Sequence, residues 1–213
     1  MRRHVPLILL VVLPIGPTSA SPAAASSLED CFSDNNDRRI MGCSNLIESP
    51  LLDDVAKSLA FSRRALAFSL KRDYDRALPD YEMALRLDPG SSMAHNNRAW
   101  VLWRLGRHEE GLVDANQAIA LQPESHHAFD TRAHLKQSLD EPRAAQDDYE
   151  QAMRLGGEKL IKLYQCGLEA QRLYTGPIDG LYTSDVRKAL KTCVENRDCD
   201  PLPADEECRS ATS

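Results

Sequence analysis

Ala84-Leu85-Arg86-Leu87-Asp88-Pro89, Ala118-Ile119-Ala120-Leu121-Gln122-Pro123 and Ala152-Met153-Arg154-Leu155-Gly156-Gly157 stand 34 residues apart, and that spacing decides the fold. The phase holds upstream of each hexapeptide. Arg64-Ala65, Arg98-Ala99 and Arg132-Ala133 share one position; Ala77, Gly111 and Ala145 share another; Tyr81, Ala115 and Tyr149 share a third. A fixed period of this length marks a unit that cannot bury its apolar face alone and stacks on copies of itself. Small residues recur where two antiparallel helices must approach closely, and Leu85, Ile119 and Met153 fill the space between neighbouring pairs. Pro89 and Pro123 end the second helix of their units, because proline cannot continue the backbone ladder.

This pattern resembles the tetratricopeptide repeat, with units at about 58–91, 92–125 and 126–159 in a repeat region spanning 51–157. The resemblance implies an all-α fold, a right-handed solenoid of helical hairpins whose first helices line a concave groove. It places Ser62, Leu66 and Ser69 on that groove in the first unit. Asn96, Trp100 and Trp103 follow in the second, and Asp130, His134 and Gln137 in the third. Trp100 and Trp103 are the two tryptophans of the chain, on one helix face where they serve as binding anchors or pack into the neighbouring unit. Some members of the family clamp a peptide carboxylate with lysine and asparagine; Ser62 and Leu66 at the matching positions do not support that here. The ladder Arg64, Arg98 and Arg132 reads as structural, with heads paired to acids on adjacent helices. Pro79 removes a backbone bond inside its helix and is expected to kink it, and the third unit is atypical at Pro142 and Gly156-Gly157.

Outside the repeats, the two ends read differently. Arg2-Arg3-His4, the uncharged run Val5 to Ile15, and the small residues Thr18-Ser19-Ala20 and Ala23-Ala24-Ala25 form the pattern of a secretory signal over 1–25. Cleavage after Ala20 and after Ala25 both fit. Export, with a periplasmic destination, places the six cysteines in an oxidising compartment. Residues 26–50 read as a degenerate helical hairpin capping the solenoid, with Cys31 and Cys43 either joined in a disulfide or buried as thiols.

After Gly157 the phase changes. Lys159 to Leu173 reads as an amphipathic helix, a Gly-Pro and Asp-Gly turn follows, and a second helix runs from about Ser184 to Val194. Here Tyr164-Gln165, Leu168, Leu173-Tyr174, Gly176, Ile178-Asp179-Gly180 and Tyr182 resemble the small helical peptidoglycan-binding module of cell-wall hydrolases. The resemblance makes 158–199 a glycan-binding-like module whose motif residues are Gln165, Tyr174, Gly176, Ile178, Asp179, Gly180 and Tyr182. Arg172 and Thr183 stand where that family carries glycine, and Cys193 where it carries phenylalanine. Asp179 equally serves its own turn, and Ile178 and Leu181 a small core. Cys166, Cys193, Cys199 and Cys208 allow three pairings, of which the short spacing favours Cys193–Cys199 with Cys166–Cys208. Residues 200–213 read as an acidic, proline-containing tail.

The chain has 213 residues, 32 acidic against 26 basic for a net charge of −6, which argues against a partner bound through nucleic-acid phosphates. No HExxH, GxSxG or phosphate-cradling glycine loop occurs, and neither a catalytic constellation nor a metal or cofactor site is expected. The acid pairs Glu109-Glu110 and Asp147-Asp148 read as solvated charge. The function expected is a non-enzymatic envelope adaptor. Its groove holds a protein or peptide, its C-terminal module docks on peptidoglycan, and no membrane span remains after signal cleavage. The rival readings are a pure protein scaffold that no longer binds glycan, and a regulatory subunit of a wall hydrolase.

Overall fold

The computed structural model describes residues 22–202 and Cys208. The expected leader, up to residue 21, and most of the expected tail lie outside the described residues. Among the described residues there are nine α-helices and no strand: α1 (Pro22–Cys31), α2 (Asn36–Glu48), α3 (Asp54–Leu70), α4 (Tyr74–Leu87), α5 (Ser92–Arg104), α6 (His108–Leu121), α7 (His126–Ser138), α8 (Pro142–Ala170) and α9 (Ser184–Val194). Helix α1 thus starts before the boundary expected at residue 25. None of these helices is long and apolar enough to cross a membrane.

Local chemistry repeats with the sequence. Ser91 and Ser125, 34 residues apart, cap α5 and α7 by accepting from the amides of Ala94 and Ala128, each at 3.3 Å, and Asp53 caps α3 through Ala56 at 2.8 Å. At the end of each of these helices one residue turns left-handed: Arg72 (φ 59°), Gly106 (φ 73°) and Asp140 (φ 67°). The next amide then bonds back to the helix, from Asp73 to Phe68, Arg107 to Leu102 and Glu141 to Lys136, each at 2.9 Å. This is why each hairpin turns at the same place although only one unit has glycine there. Helix α4 runs on through Pro79 to Leu87. The following Asp88 (φ −137°, ψ 88°) leaves the helical region, which is disfavoured for a residue preceding proline.

Helices pair as α3 with α4, α5 with α6 and α7 with α8, and α5 touches both α3 and α7, so these three first helices share one face. Alanines fill the close approaches: Ala65, Ala77, Ala99, Ala133 and Ala145 are all fully buried. In the second unit Gly111 does this work; a Cβ there would lie 2.8 Å from a Leu135 methyl and 3.1 Å from the Ala99 carbonyl. Each unit is then pinned by a forked ion pair between its two helices. Arg64 holds Asp80, Arg98 holds Asp114 and Arg132 holds Asp148, with N–O distances of 2.6–2.8 Å throughout. All three carboxylates are buried. The solvated reading of Asp148 is therefore corrected: it lies under Arg132 and Lys136. Glu110, by contrast, is an exposed partner of Arg107.

At the front, Cys31 and Cys43 are joined, and the backbones of α1 and α2 meet so closely that a Cβ on Gly42 would lie 2.4 Å from the Cys31 nitrogen. At the back, Gly157 (φ 65°, ψ −158°) breaks α8 in a conformation open essentially to glycine alone. The limb beyond it packs with α9, and Cys193–Cys199 and Cys166–Cys208 close the remaining bridges. The segment expected to be a separate module does not keep a separate core. Tyr149 and Met153 of the third unit, Tyr164 and Leu168 of the limb, and Val186 and Leu190 of α9 form one buried cluster.

Candidate protein-binding groove

The shared face of α3, α5 and α7 carries the residues expected on it, but they meet three different fates. Ser62 and Ser69 are buried, and Ser69 donates to the Ala65 carbonyl of its own helix at 2.8 Å. Leu66, Asn96, Trp100 and Trp103 are half-buried and line open space. The far part of the third unit's face, at His134 and Gln137, is covered by the chain itself, while Asp130 still borders open space. The side-chain amide of Gln137 donates to the carbonyls of Asn196 and Cys199, both at 2.7 Å, and accepts from the Tyr149 hydroxyl at 3.0 Å. His134 faces the Asp200 carboxylate at 3.1 Å and the ring of Trp103 at 4.6 Å between centroids. Asp130 accepts from the Tyr164 hydroxyl. His134 and Gln137, expected to face a partner, are both buried beneath residues 196–202.

This strap is electrostatically locked. Burial alone would lower the pKa of His134, but the carboxylates of Asp130 and Asp200 overcome that and hold it up to about 9. Asp200 is held below the usual carboxylate range: burial opposes the shift, and the bond from His134 outweighs it. Asp130 moves the other way, raised by burial. A protonated imidazole therefore bridges the strap to α7 at neutral pH.

What stays open is the groove between α3, α5 and the first turns of α7. A cleft of about 250 Å³ is lined by Leu66, Leu70, Asn96, Asn97, Trp100 and His127 among others. It continues past Trp100 into a wider hollow of about 370 Å³ bounded by Tyr74, Trp103, Arg72, Arg104, Asp200 and Leu202. Trp100 stands edge-on to Tyr74, with centroids 6.0 Å apart, and Trp103 donates its indole N–H to Ser138 at 3.0 Å. Asn96 Oδ1 on the wall is shielded from solvent and has no hydrogen-bond partner among the described residues. Arg72, Arg104, Leu70 and Asp200 were missed by the sequence reading; the first three sit at helix ends, where repeat phase assigns no groove position. Among the described residues no cluster of three or more histidine, cysteine or acidic side chains could hold a metal ion.

Residues 63–126 match the tetratricopeptide repeat family model. The match covers the first two units, whose groove is open. In three dimensions the chain is similar to a MamA RS-1 double mutant at 16% identity, with 72% of this chain and 86% of that chain covered and a TM-score of 0.57, a likeness of fold. It is also similar to the first tetratricopeptide domain of Spaghetti (RPAP3), solved with an HSP90 peptide, at 26% identity, 49% of this chain, 83% of that chain and a TM-score of 0.47. The Arabidopsis OM64 tetratricopeptide domain matches at 19% identity, 48% of this chain, 84% of that chain and a TM-score of 0.47. No curated protein matches the chain in sequence.

Beyond the repeat units, the loop 171–183 is organised around Gln165, which is fully buried. Its amide donates to the Asp179 carboxylate at 2.9 Å and the Leu181 carbonyl at 3.1 Å, and its oxygen accepts from the Gly180 amide at 2.8 Å. Gly180 (φ 78°) presses against the Glu158 backbone, which a Cβ would meet at 2.9 Å. Tyr174 donates to the Pro177 carbonyl at 2.9 Å, and its ring lies under Gly176. Ile178 stands in the same loop, half-buried, and Tyr182 is half-buried under the Arg187 guanidinium, 5.6 Å from its ring centre. Gln165, Asp179 and Gly180 are therefore used in holding the loop. A separate hollow of about 520 Å³ lies between this loop and α9, lined by Tyr174, Gly176, Asp185, Lys188 and Thr192.

Proposed function

We propose that this chain is a non-enzymatic adaptor of the cell envelope that holds an extended segment of a protein partner in the groove of its first two units. The open cleft along α3 and α5 carries this reading: an aromatic anchor at Trp100, apolar walls at Leu66 and Leu70, and amide side chains at Asn96 and Asn97 for a peptide backbone. The match of residues 63–126 to a repeat family of protein-interaction modules supports it. Export rests on the leader pattern of residues 1–25, and the three disulfides, which leave no free cysteine among the described residues, are in keeping with an oxidising compartment. Affinity capture from envelope extract with the oxidised chain tests the groove: a specific protein should be retained and lost with Trp100→Ala. Capture that is unchanged by this substitution removes the groove from the proposal.

Peptidoglycan docking is the second part of the proposal, supported by the hollow at Tyr174, Gly176, Asp185 and Lys188 beside the Ile-Asp-Gly loop. Linking a glycan site and a protein site on one chain raises the effective concentration of the partner at the wall. The core that α9 shares with the third unit favours the rival, a pure scaffold in which this segment caps the solenoid. Sedimentation with purified peptidoglycan separates them: the oxidised chain pellets if it docks and stays in the supernatant if it is a scaffold only.

A further inference from the structure

The wide end of the groove has a charge pattern of its own. Arg72 and Arg104 both border it, both are exposed, and neither forms an ion pair among the described residues. The arginines of the repeat ladder, Arg64, Arg98 and Arg132, are by contrast spent on buried aspartates. Arg104 stands over two rings, 5.6 Å from the centre of Trp100 and 5.4 Å from that of Trp103, and its charge also reaches the Asp200 carboxylate. Among the described residues the one acid on the rim, Asp200, is already taken by His134. In a chain of net charge −6, this hollow is a cationic, aromatic pocket.

The chain also shows what such a pocket accepts. Its own strap already places a carboxylate, Asp200, on His134 and a leucine, Leu202, on the rim beside Trp103 and Arg104. We propose that the wide end of the groove docks an acidic, leucine- or phenylalanine-containing segment of a partner protein, with Arg72 and Arg104 binding its carboxylates and Tyr74, Trp100 and Leu70 receiving its apolar side chain. The strap forms one wall of this site, so the partner touches both the repeats and the C-terminal end. Guanidinium groups suit the task because they bind carboxylates through two parallel N–H bonds and stack on aromatic faces. The inference rests on the groove reading above and names the class of partner.

Trp100 and Trp103 are the only tryptophans, so intrinsic fluorescence of the oxidised full chain reports this site directly. The probe is a blocked nonapeptide of aspartates interrupted by leucine and phenylalanine, compared with the same peptide carrying asparagines and with an anionic polysaccharide. The aspartate peptide should give a saturable change, weakened about tenfold or more in the double variant Arg72→Asn, Arg104→Gln. Asparagine tolerates the left-handed backbone at residue 72, and glutamine keeps the helix at 104, so the fold is retained. Arg86→Gln, remote from the pocket, should bind as wild type. The proposal is overturned by no saturable change up to millimolar peptide, by an equal response to the asparagine peptide or the polysaccharide, or by an unchanged double variant. If envelope capture succeeds and survives the double variant, the groove reading stands and the acidic-partner proposal alone is lost.

Discussion

His134 and Asp200, 66 residues apart in sequence, meet at 3.1 Å and join the inner helix of the last repeat to the strap that covers it. The pair converts a position expected to face a partner into an internal fastening. It also makes the stability of the closed end depend on pH in a defined direction. The folded imidazole titrates at about 9, above its ordinary value of about 6.5. Its contribution is therefore complete below pH 6.5 and is lost as pH rises through 9. Denaturant unfolding at pH 6, 7.5 and 9 should show wild-type stability falling by on the order of 2–3 kcal/mol across that window. His134→Gln should be less stable at pH 6 and much flatter; a wild-type curve that rises with pH would contradict the assignment.

The forked pairs make a second prediction. Asp114 is buried and bound by both Arg98 and His95, whose bonds outweigh burial and hold its carboxyl below the usual range. Arg98→Leu leaves this carboxylate without its forked partner and should cost about 3–5 kcal/mol in unfolding free energy. The double variant Arg98→Leu, Asp114→Leu should recover most of that loss. A double variant as unstable as the single would show that the pair does more than satisfy its own charges.

Gly42→Ala should dismantle the N-terminal hairpin. The added methyl meets backbone atoms of Cys31 and Ser27 at 2.4 and 2.6 Å, and the bridge beside them prevents the helices from parting. A loss of about 1–3 kcal/mol is expected, against the small gain alanine brings to an open helix. Hydrogen exchange should show it as lost protection confined to α1 and α2.

Arg172 ends the limb of α8 with φ at 60°, where a non-glycine residue is strained. Arg172→Gly should therefore raise stability by about 0.5–1 kcal/mol, readable as a shift in the unfolding midpoint without a change in slope. A destabilised variant would mean that the arginine side chain contributes contacts that outweigh its backbone strain.

The solenoid was legible because residues 34 apart have the same neighbours, so packing imposes the same side-chain size at each. Ala65, Ala99 and Ala133 show this, and all three are fully buried. The aspartates 80, 114 and 148 carry the same signal one residue before Tyr81, Ala115 and Tyr149, yet an acidic residue on a helix normally reads as solvated, and Asp148 was misread for that reason. The fate of Gln137 was not legible. Its partners are backbone carbonyls of Asn196 and Cys199, and a carbonyl looks the same in every residue. Likewise Gly106 announces its left-handed turn most plainly, Asp140 less so, and Arg72 not at all. In the C-terminal motif, the residue types pointed to the right loop, but their bonds turn inward: Gln165, Asp179 and Gly180 close on one another.

Each arginine–aspartate rung joins residues 16 apart, whereas the bonds from Gln137 and His134 to the strap span 59 to 66. Closing a loop costs more as it lengthens, and contacts near in sequence form earlier. The units thus assemble in sequence order, each complete before the chain has reached residue 196, and the strap docks last. For that interval His134 and Gln137 lack the partners that bury them, so the inner helix of the third unit is the last part of the repeats to be completed.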